Sequence, residues 1–342
     1  MTARVGSKSM WALLAGAAVA FCAQGADAQT LKAVKDRGTL NCGVSNGIPG
    51  FSANDGGKWS GFDVDFCRAV AAAVFNDPSK VTYVPLNAAE RFTGLQSGKV
   101  DILSRNSTWT LERETTYNLL FGPITYYDGQ GFMVRGARNL TSALELDGSK
   151  VCVQTGTTAA GYAVDYFKAN NMKVELVTLP TVQELVKAYE DGRCDTLTTD
   201  VSQLYALRTG LAKPVDHIVL PDVITKEPLG PVVRQGDDEW FNVVKWTHFV
   251  MLNGEELGVS SLSLPDALKS EKPDVKRLVG NEGDFGTPLG LTKDFAVRII
   301  RAVGNYGEVF ERNVGTGSKL AIPRGVNQLW SAGGIQYAPP VR

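Results

Sequence analysis

The chain has 342 residues, of which 44% are apolar and 21% charged, and this balance is typical of a globular protein. It excludes a disordered tail, a collagen and a coiled coil, and at roughly 150 residues per domain the length predicts about two domains. Because 35 Lys and Arg residues face 36 Asp and Glu residues, the basic excess of a sequence-independent nucleic-acid binder is missing. Only two histidines are present, His217 and His248, so we expect no metal site, no cofactor and no histidine relay.

The first 28 residues have the three parts of a secretory signal peptide. Arg4 and Lys8 supply the basic part, residues 11–21 the apolar part, and Ala26-Asp27-Ala28 an A-x-A cleavage site. The apolar run is too short for a bilayer, which requires about 20 apolar residues as a helix. A retained membrane anchor is the alternative. We expect cleavage near Ala28 and a soluble mature protein in the periplasm.

Strands and helices alternate in the first part of the mature chain. In order, the pattern predicts a strand at 39–44, a helix from Phe62 to Asp77-Pro78, a strand at 81–84, a helix at 88–97 before Gly98, and a strand at 100–103. This alternation is typical of an α/β fold with a mainly parallel sheet.

The same pattern restarts further along the chain. It predicts a strand at 150–154, a helix capped by Thr157 or Thr158, a strand at 174–177, a helix opened by a capping box at 181–184, and a strand at 194–197. Residues 98–103 and 192–197 resemble each other, because each is a Gly, a basic residue and a short strand containing Asp. The match is too short to prove duplication, but it favours two similarly built lobes.

Two segments are suited to crossing between the lobes. Residues 126–131 form one, and the Pro- and Gly-rich stretch 228–231 forms the other, after which helices are predicted at 240–252 and 294–313. We therefore expect the division of the chain to be a signal peptide at 1–28, one lobe from 29–128 plus 229–342, and a second lobe from 129–228.

Four cysteines remain after removal of the signal peptide, and an even number in an exported chain indicates disulfides. Four cysteines allow three connectivities, and free buried thiols are a further alternative. The pairs Cys42–Cys67 and Cys152–Cys194 would each close a loop within one lobe. The CxxC spacing of zinc ribbons and thioredoxin-like motifs is absent.

Polar residues follow the two similar strands, where open α/β sheets bind ligands. Beyond the first strand, Thr110 is a plausible N-cap that would place Arg113 in the first turn of a helix, and this combination favours a carboxylate. Asp200 follows the second strand. One cation facing one anion across a cleft complements a small zwitterion. The alternatives are a solvated helix residue for Arg113 and an ordinary N-cap for Asp200.

Several ordered motifs resemble the solute-binding proteins of polar amino acid ABC importers. They cover about residues 35–235 and comprise 61–65, 101–113, Gly156-Thr157-Thr158 and Thr199-Asp200; the run 226–234 also resembles the broad-range general L-amino-acid-binding branch. The resemblance implies a two-lobed periplasmic-binding-protein (Venus flytrap) fold, each lobe a central sheet flanked by helices. It also implies an L-amino acid ligand, an inner-membrane ABC permease as partner, and a monomer.

The resemblance implies roles for individual residues as well. Arg113 would hold the ligand carboxylate with help from Thr108 and Thr158, and Asp200 would take the ammonium group. Arg91 would reach an acidic ligand side chain, with a surface helix position as its alternative. The aromatic Phe51 would wall the side-chain pocket or pack in the core. The candidate ligand-binding residues are completed by Asn106 and Thr157.

Two other classes of function compete with binding. The G-x-S-x-G match at 43–47 lacks the helix that a nucleophile elbow requires after its serine. A dehydratase of the same fold needs an acid or base at the cleft, and Glu112, Glu114 or Asp128 could serve, but none has a second carboxylate at a telling spacing. A sensing module acting in trans is the remaining alternative. We expect a binding protein and not an enzyme.

Overall fold

The computed structural model describes residues 1–2 and 29–342. The basic, apolar and cleavage-site residues of the predicted signal peptide lie outside the described residues. Among the described helices, none combines the length and the apolar character that a bilayer-spanning helix requires.

The described residues alternate between strands and helices, as the sequence pattern predicts. The strands are β1 Leu40–Val44, β2 Ala53–Asp55, β3 Lys58–Ser60, β4 Val81–Pro85, β5 Ile102–Leu103, β6 Leu119–Phe121, β7 Tyr126–Asp128, β8 Gln130–Arg135, β9 Ser149–Gln154, β10 Val174–Leu179, β11 Thr196–Asp200, β12 His217–Val219, β13 Glu227–Leu229 and β14 Val232–Arg234. The helices are α1 Thr30–Arg37, α2 Phe62–Phe75, α3 Arg91–Gln96, α4 Leu111–Tyr117, α5 Ala159–Ala169, α6 Val182–Glu190, α7 Val201–Arg208, α8 Asp238–Glu256, α9 Leu264–Ala267, α10 Pro273–Leu278, α11 Phe295–Val303 and α12 Tyr306–Asn313.

Two five-stranded sheets of the same design form the centres of two lobes. The strand order is β4-β1-β5-β14-β6 in one sheet and β10-β9-β11-β8-β12 in the other. In each sheet three strands are parallel, and the last two are antiparallel to their neighbours. Strand β14, which belongs to the first sheet, follows the whole second sheet along the chain, so the chain returns to the first lobe.

The two segments predicted as crossovers pair with each other. Strands β7 and β13 form an antiparallel ladder in which Asp128 lies opposite Glu227 and Tyr126 opposite Leu229. We call this pair of strands the connecting ladder. The proposed boundary at 128/129 falls at the end of β7, whereas the boundary at 228/229 falls inside β13; the division of the chain into 29–128 plus 229–342 and 129–228 stays a prediction.

The two similar sequence stretches adopt the same local structure. Asp101 donates its backbone N–H to Asn41 O at 2.8 Å, and its carboxylate accepts the Asn41 N–H at 2.8 Å. Asp195 makes the equivalent pair of bonds with Lys150, at 2.8 and 2.9 Å. The aspartate of each stretch therefore fixes the start of one strand against its neighbour in each lobe.

Both cysteine pairs are disulfides, and each lies within one lobe. Cys42–Cys67 joins β1 to α2 with 6.3 Å between the Cα atoms, and Cys152–Cys194 joins β9 to the residues before β11 with 5.6 Å. They span 25 and 42 residues of chain. In the chain-entropy model, closing loops of this length contributes about 3–4 kcal/mol each to the free energy of unfolding.

For two predicted helices, the structure shows why the observed limits differ from the expected ones. The helix expected at 294–313 is interrupted by Gly304, whose φ of +82° ends α11, and by Asn305, which forms a capping box with Glu308 at the start of α12. The helix expected from residue 88 begins at Arg91, because the Asn87 side chain accepts the Glu90 N–H and holds a turn there.

The C-terminal region contacts the connecting ladder through buried side chains. Asn327 accepts the Tyr127 N–H at 2.7 Å and donates to Tyr127 O at 2.9 Å. Gln336 donates to the carbonyl oxygens of residues 124 and 125, and Tyr306 donates its hydroxyl to the second of these. Asn327 thus acts on β7 as a third strand would, on the side away from β13.

We predict that Asn327→Leu lowers the free energy of unfolding by about 1–3 kcal/mol, because the Tyr127 N–H and C=O would lose their partners. Chemical denaturation monitored by circular dichroism measures this change. Asn281→Leu is the control and should have little effect, because the Asn281 side chain is exposed and water can replace the hydrogen bond that it donates to Leu268 O. Equal stability of the two variants would contradict a structural role for Asn327.

Candidate functional site

A cavity between the lobes lies at the carboxyl ends of the sheet strands, where this fold class binds ligands. Its lining comprises Arg91, Arg105, Asn106, Thr108 and Arg113 from the first lobe and Gln154, Thr157, Thr158, Thr199, Asp200 and Gln203 from the second. All the candidate ligand-binding residues named from the sequence are in this lining except Phe51.

Arg113 is held in place by the start of helix α4. The Thr110 side chain accepts the Arg113 N–H at 3.2 Å, as an N-cap does, and the guanidinium donates to Thr108 O at 2.9 Å. The guanidinium also lies over the Phe92 ring, 5.3 Å from its centroid. Arg113 is only 8% exposed, so it is a buried cation and not a solvated helix residue.

Asp200 is the buried anion of the opposite wall. It stands at the junction of β11 and α7, but its carboxylate makes no capping hydrogen bond to that helix. Burial, with repulsion from Asp128 and Glu227, raises the pKa of Asp200 well above its usual range, and the guanidinium groups of Arg91 and Arg113 oppose this shift. A cation bound in the cavity would stabilise the charged form of this carboxylate.

Arg91 is a buried residue and not a surface one. It is 3% exposed, its guanidinium lies 4.8 Å from the Phe92 centroid, and it donates to Gly156 O of the other lobe at 3.4 Å. Burial, followed by repulsion from Arg105 and Arg113, lowers the pKa of Arg91 well below its usual range. Within the described residues its Nε has no hydrogen-bond partner.

The lobes contact each other around the cavity. The Asn106 amide donates to the Gln203 side chain at 3.2 Å, and elsewhere along the cleft Gln183 donates to Asn46 O at 2.9 Å. Gly156 has a φ of +79°, and a Cβ added there would lie 2.8 Å from Ala89 N of the opposite lobe. A glycine is therefore required for this close approach of the two backbones.

Phe51 lies in the core of the first lobe. It is 2% exposed and packs edge-on against Phe62 and Tyr126, with ring centroids 6.2 and 5.6 Å apart. The sequence allowed Phe51 either to wall the side-chain pocket or to pack in the core, and the structure places it in the core. An aromatic residue gives the same local signal for either position.

Sequence reasoning missed several residues of the site. Arg105 lies two residues after strand β5 and one before Asn106, so the strand-end rule that led to Asn106 applies to it as well. Glu227 lies in the run 226–234, whose residues carried no predicted role. It is 1% exposed, and the Thr158 hydroxyl donates to its carboxylate, 3.2 Å from both oxygens. The other missed residues of the lining are Gln154, Thr199 and Gln203.

A groove leads outward from the cavity between the lobes. It shares Arg113, Thr157 and Thr158 with the cavity, and aromatic and acidic side chains line the rest, among them Phe92, Glu112, Tyr117, Tyr162 and Asp165. In the part of the chain that the structure describes, no group of histidine, cysteine and carboxylate side chains is arranged to hold a metal ion.

The chain belongs to the bacterial extracellular solute-binding proteins, family 3, whose family model matches residues 40–251. It is 54% identical over 339 residues to the general L-amino acid-binding periplasmic protein AapJ of Rhizobium johnstonii, covering 98% of this chain and 99% of the relative. It is 48% identical over 339 residues to the glutamate/glutamine/aspartate/asparagine-binding protein BztA of Rhodobacter capsulatus, covering 98% of each.

A solved structure has the same fold over nearly the whole chain. The ABC transporter periplasmic binding protein of Brucella ovis with glutathione bound superposes with a TM-score of 0.90 at 53% identity, covering 92% of this chain and 99% of that one. The predicted two-lobed periplasmic-binding-protein fold is thereby confirmed.

Proposed function

We propose that the protein is the substrate-binding component of an ABC importer, which binds L-amino acids in the periplasm and delivers them to the membrane permease. The observation that carries this proposal is a buried cation, Arg113, and a buried anion, Asp200, on opposite walls of one cavity. The names of the relatives support it, since they are amino acid-binding proteins. Neither the dehydratase nor the sensor alternative gains support from them.

The proposed binding mode uses both walls. Arg113 holds the ligand carboxylate beside Thr108, and Asp200 holds the ammonium group. Because the Thr158 hydroxyl donates its only proton to Glu227, its lone pairs remain for the ligand. We therefore assign the Thr158 hydroxyl to the ammonium group, in place of the role beside the carboxylate that the family resemblance implies.

Closure of the lobes is the proposed mechanism of delivery. The cation comes from one lobe and the anion from the other, so a zwitterion makes all its contacts only when the lobes meet. A ligand shifts the balance towards the closed form by the contacts that exist in that form alone. The closed form is then presented to the permease, and the binding protein itself carries out no reaction.

We further propose export by a signal peptide cleaved near Ala28 and a monomeric mature protein. The periplasmic names of the relatives support the location. The groove beyond the cavity favours a second class of ligand, since a γ-glutamyl peptide keeps both α-groups and adds a tail. The glutathione bound to the Brucella ovis protein is consistent with this addition.

We predict that L-amino acids raise the unfolding temperature of the mature protein in a thermal-shift panel. Stabilisation by a ligand follows RT ln(1 + [L]/Kd), so a tenfold tighter ligand gives about 1.4 kcal/mol more at saturation. The panel comprises twenty L-amino acids and glutathione, with sugars and carboxylic acids that lack an ammonium group as controls. Stabilisation by the controls alone would contradict amino acid binding.

We predict that Arg113→Ala weakens the binding of every L-amino acid by about 2–5 kcal/mol, because the ligand carboxylate would lose its charged partner in a buried site. Isothermal titration calorimetry measures this loss. Arg138→Ala removes an arginine that contacts Thr196 and Ser149 outside the cavity, and it should leave affinity unchanged. Affinity close to wild type for Arg113→Ala would remove the carboxylate assignment.

We predict that Gly156→Ala weakens ligand binding at least about tenfold, since the added Cβ would overlap the backbone of residues 88–89 when the lobes meet. Gly192→Ala is the matched control, because Gly192 has a φ of +76° in the same lobe with open space around it. Both variants carry the backbone strain, but only Gly156→Ala obstructs closure. Equal losses of ligand affinity in the two variants, measured by calorimetry, would show that backbone strain and not obstructed closure causes the effect.

A further inference from the structure

Three carboxylates from three separate elements meet beside the cavity. Asp128 ends β7, Glu227 begins β13, and the two lie opposite each other in the connecting ladder. Asp200 ends β11, and the Ser202 N–H two residues further along donates to Asp128 Oδ1 at 3.4 Å. We call Asp128, Asp200 and Glu227 the carboxylate cluster. Because like charges buried together repel, the cluster needs compensation from its surroundings.

Hydrogen-bond donors serve the cluster unevenly. Glu227 is 1% exposed and accepts the hydroxyl protons of Thr158 and Thr225, at 3.2 and 3.1 Å. Asp128 Oδ2 is buried, and among the described residues it has no hydrogen-bond partner. Asp200 is 8% exposed, lines the cavity and has no capping bond to its helix. A buried carboxylate oxygen without a donor is costly when charged, and a proton shared with a neighbouring carboxylate removes this cost.

The buried charges in and around the cavity sum to one negative charge. They belong to three guanidinium groups and four carboxylates, which are those of Arg91, Arg105, Arg113, Asp63, Asp128, Asp200 and Glu227. Arg105 and Asp63 attract each other, which leaves two guanidinium groups for the three carboxylates of the cluster. One bound proton therefore balances the charges that face the cavity.

The directions of the pKa shifts agree with a shared proton. Burial raises the pKa of Asp128 to about 6, with a smaller contribution from Glu227, although hydrogen bonds to its carboxylate oppose the shift. Asp200, as described above, has its pKa raised in the same direction against the attraction of the guanidinium groups. Tyr126 on strand β7 stays a neutral phenol, since burial, followed by Asp128, raises its pKa well above its usual range.

We propose that the carboxylate cluster shares one proton in the ligand-free protein and releases it when the ammonium group of an L-amino acid binds. This inference rests on the proposed function, in which Asp200 receives the ammonium group. The N–H groups of the ligand supply the positive charge that the proton supplied before, so the carboxyl O–H bond breaks and the proton leaves to the buffer. Affinity then rises with pH, by up to about tenfold per pH unit, until the ligand-free cluster is ionised. Acidification has the opposite effect and favours release of the ligand.

Asp63 offers a competing source of a released proton. Burial raises the pKa of Asp63 to about 7, and its carboxylate accepts the Asn106 N–H at 3.3 Å. However, Asp63 lies outside the lining of the cavity, so the ammonium group of the ligand does not contact it. Its proton should stay in place when the ligand binds, and the experiment must separate it from the proton of the cluster.

The test uses L-glutamine, which stays a zwitterion between pH 5.5 and pH 7. Isothermal titration calorimetry at pH 6 in cacodylate, MES and Bis-Tris counts released protons, because these buffers differ in ionisation enthalpy. We expect the wild-type mature protein to release about 0.5–1 proton per glutamine bound, and its affinity to be about three- to tenfold higher at pH 7 than at pH 5.5.

Two variants with the same change of side chain assign the proton. Asp128→Asn should release fewer than about 0.2 protons, and its affinity should change less than about twofold over the same pH range. Asp63→Asn is the matched control and should release as many protons as the wild-type protein. Thermal unfolding shows whether each variant is folded. If Asp128→Asn fails to fold, Glu227→Gln removes another carboxylate of the cluster, and the same loss of proton release is expected.

A wild-type protein that binds glutamine without releasing a proton would overturn the inference. Proton release that persists in the folded cluster variant, or that Asp63→Asn abolishes, would overturn it as well and place the proton elsewhere. A wild-type protein that binds no amino acid at any of these pH values contradicts the proposed function itself, so the two failures are distinguishable.

Discussion

Opposite charges buried on the two walls of one cavity are the constraint on which the rest of this structure depends. A charged side chain removed from water is costly unless a partner compensates for it. Arg113 has one backbone carbonyl as a hydrogen-bond partner, and the carboxylate of Asp200 has no capping bond to its own helix. In the proposed binding mode, a small zwitterion supplies a group of opposite charge to each of them.

The connecting ladder places the negative charges on one side of the cavity. Asp128 and Glu227 lie opposite each other in the ladder, and Glu227 bonds the Thr158 hydroxyl of the second lobe. Burial, and to a smaller extent repulsion from Glu227, raises the pKa of Asp128 to about 6. The guanidinium groups come from the first lobe. The direction of the electric field across the cavity therefore depends on which lobe supplies each charged residue.

Local chemistry explains how much of the fold was predictable. The alternation of strands and helices, the capping threonine before Arg113 and the two similar Asp-containing strands depend on residues close together in the chain. Within the α/β frame, ligand sites follow strand ends, so Arg113 and Asp200 could be named as cavity residues, and the family resemblance added Thr108 and Thr158. Helix limits were less predictable, because a side chain such as Asn305 or Asn87 decides them individually.

The sequence by itself therefore indicated the two-lobed α/β design and, with the family resemblance, Arg113 and Asp200 as charged residues of the cavity, while it left open which cysteines pair. Only the tertiary structure decided that Phe51 packs in the core, that Arg105 lines the cavity, and that Glu227 orients a hydroxyl 69 residues away in the chain. The physical reason is that these contacts arise where separate elements meet, and their geometry depends on the packing of whole lobes. No local periodicity or spacing records how two lobes meet.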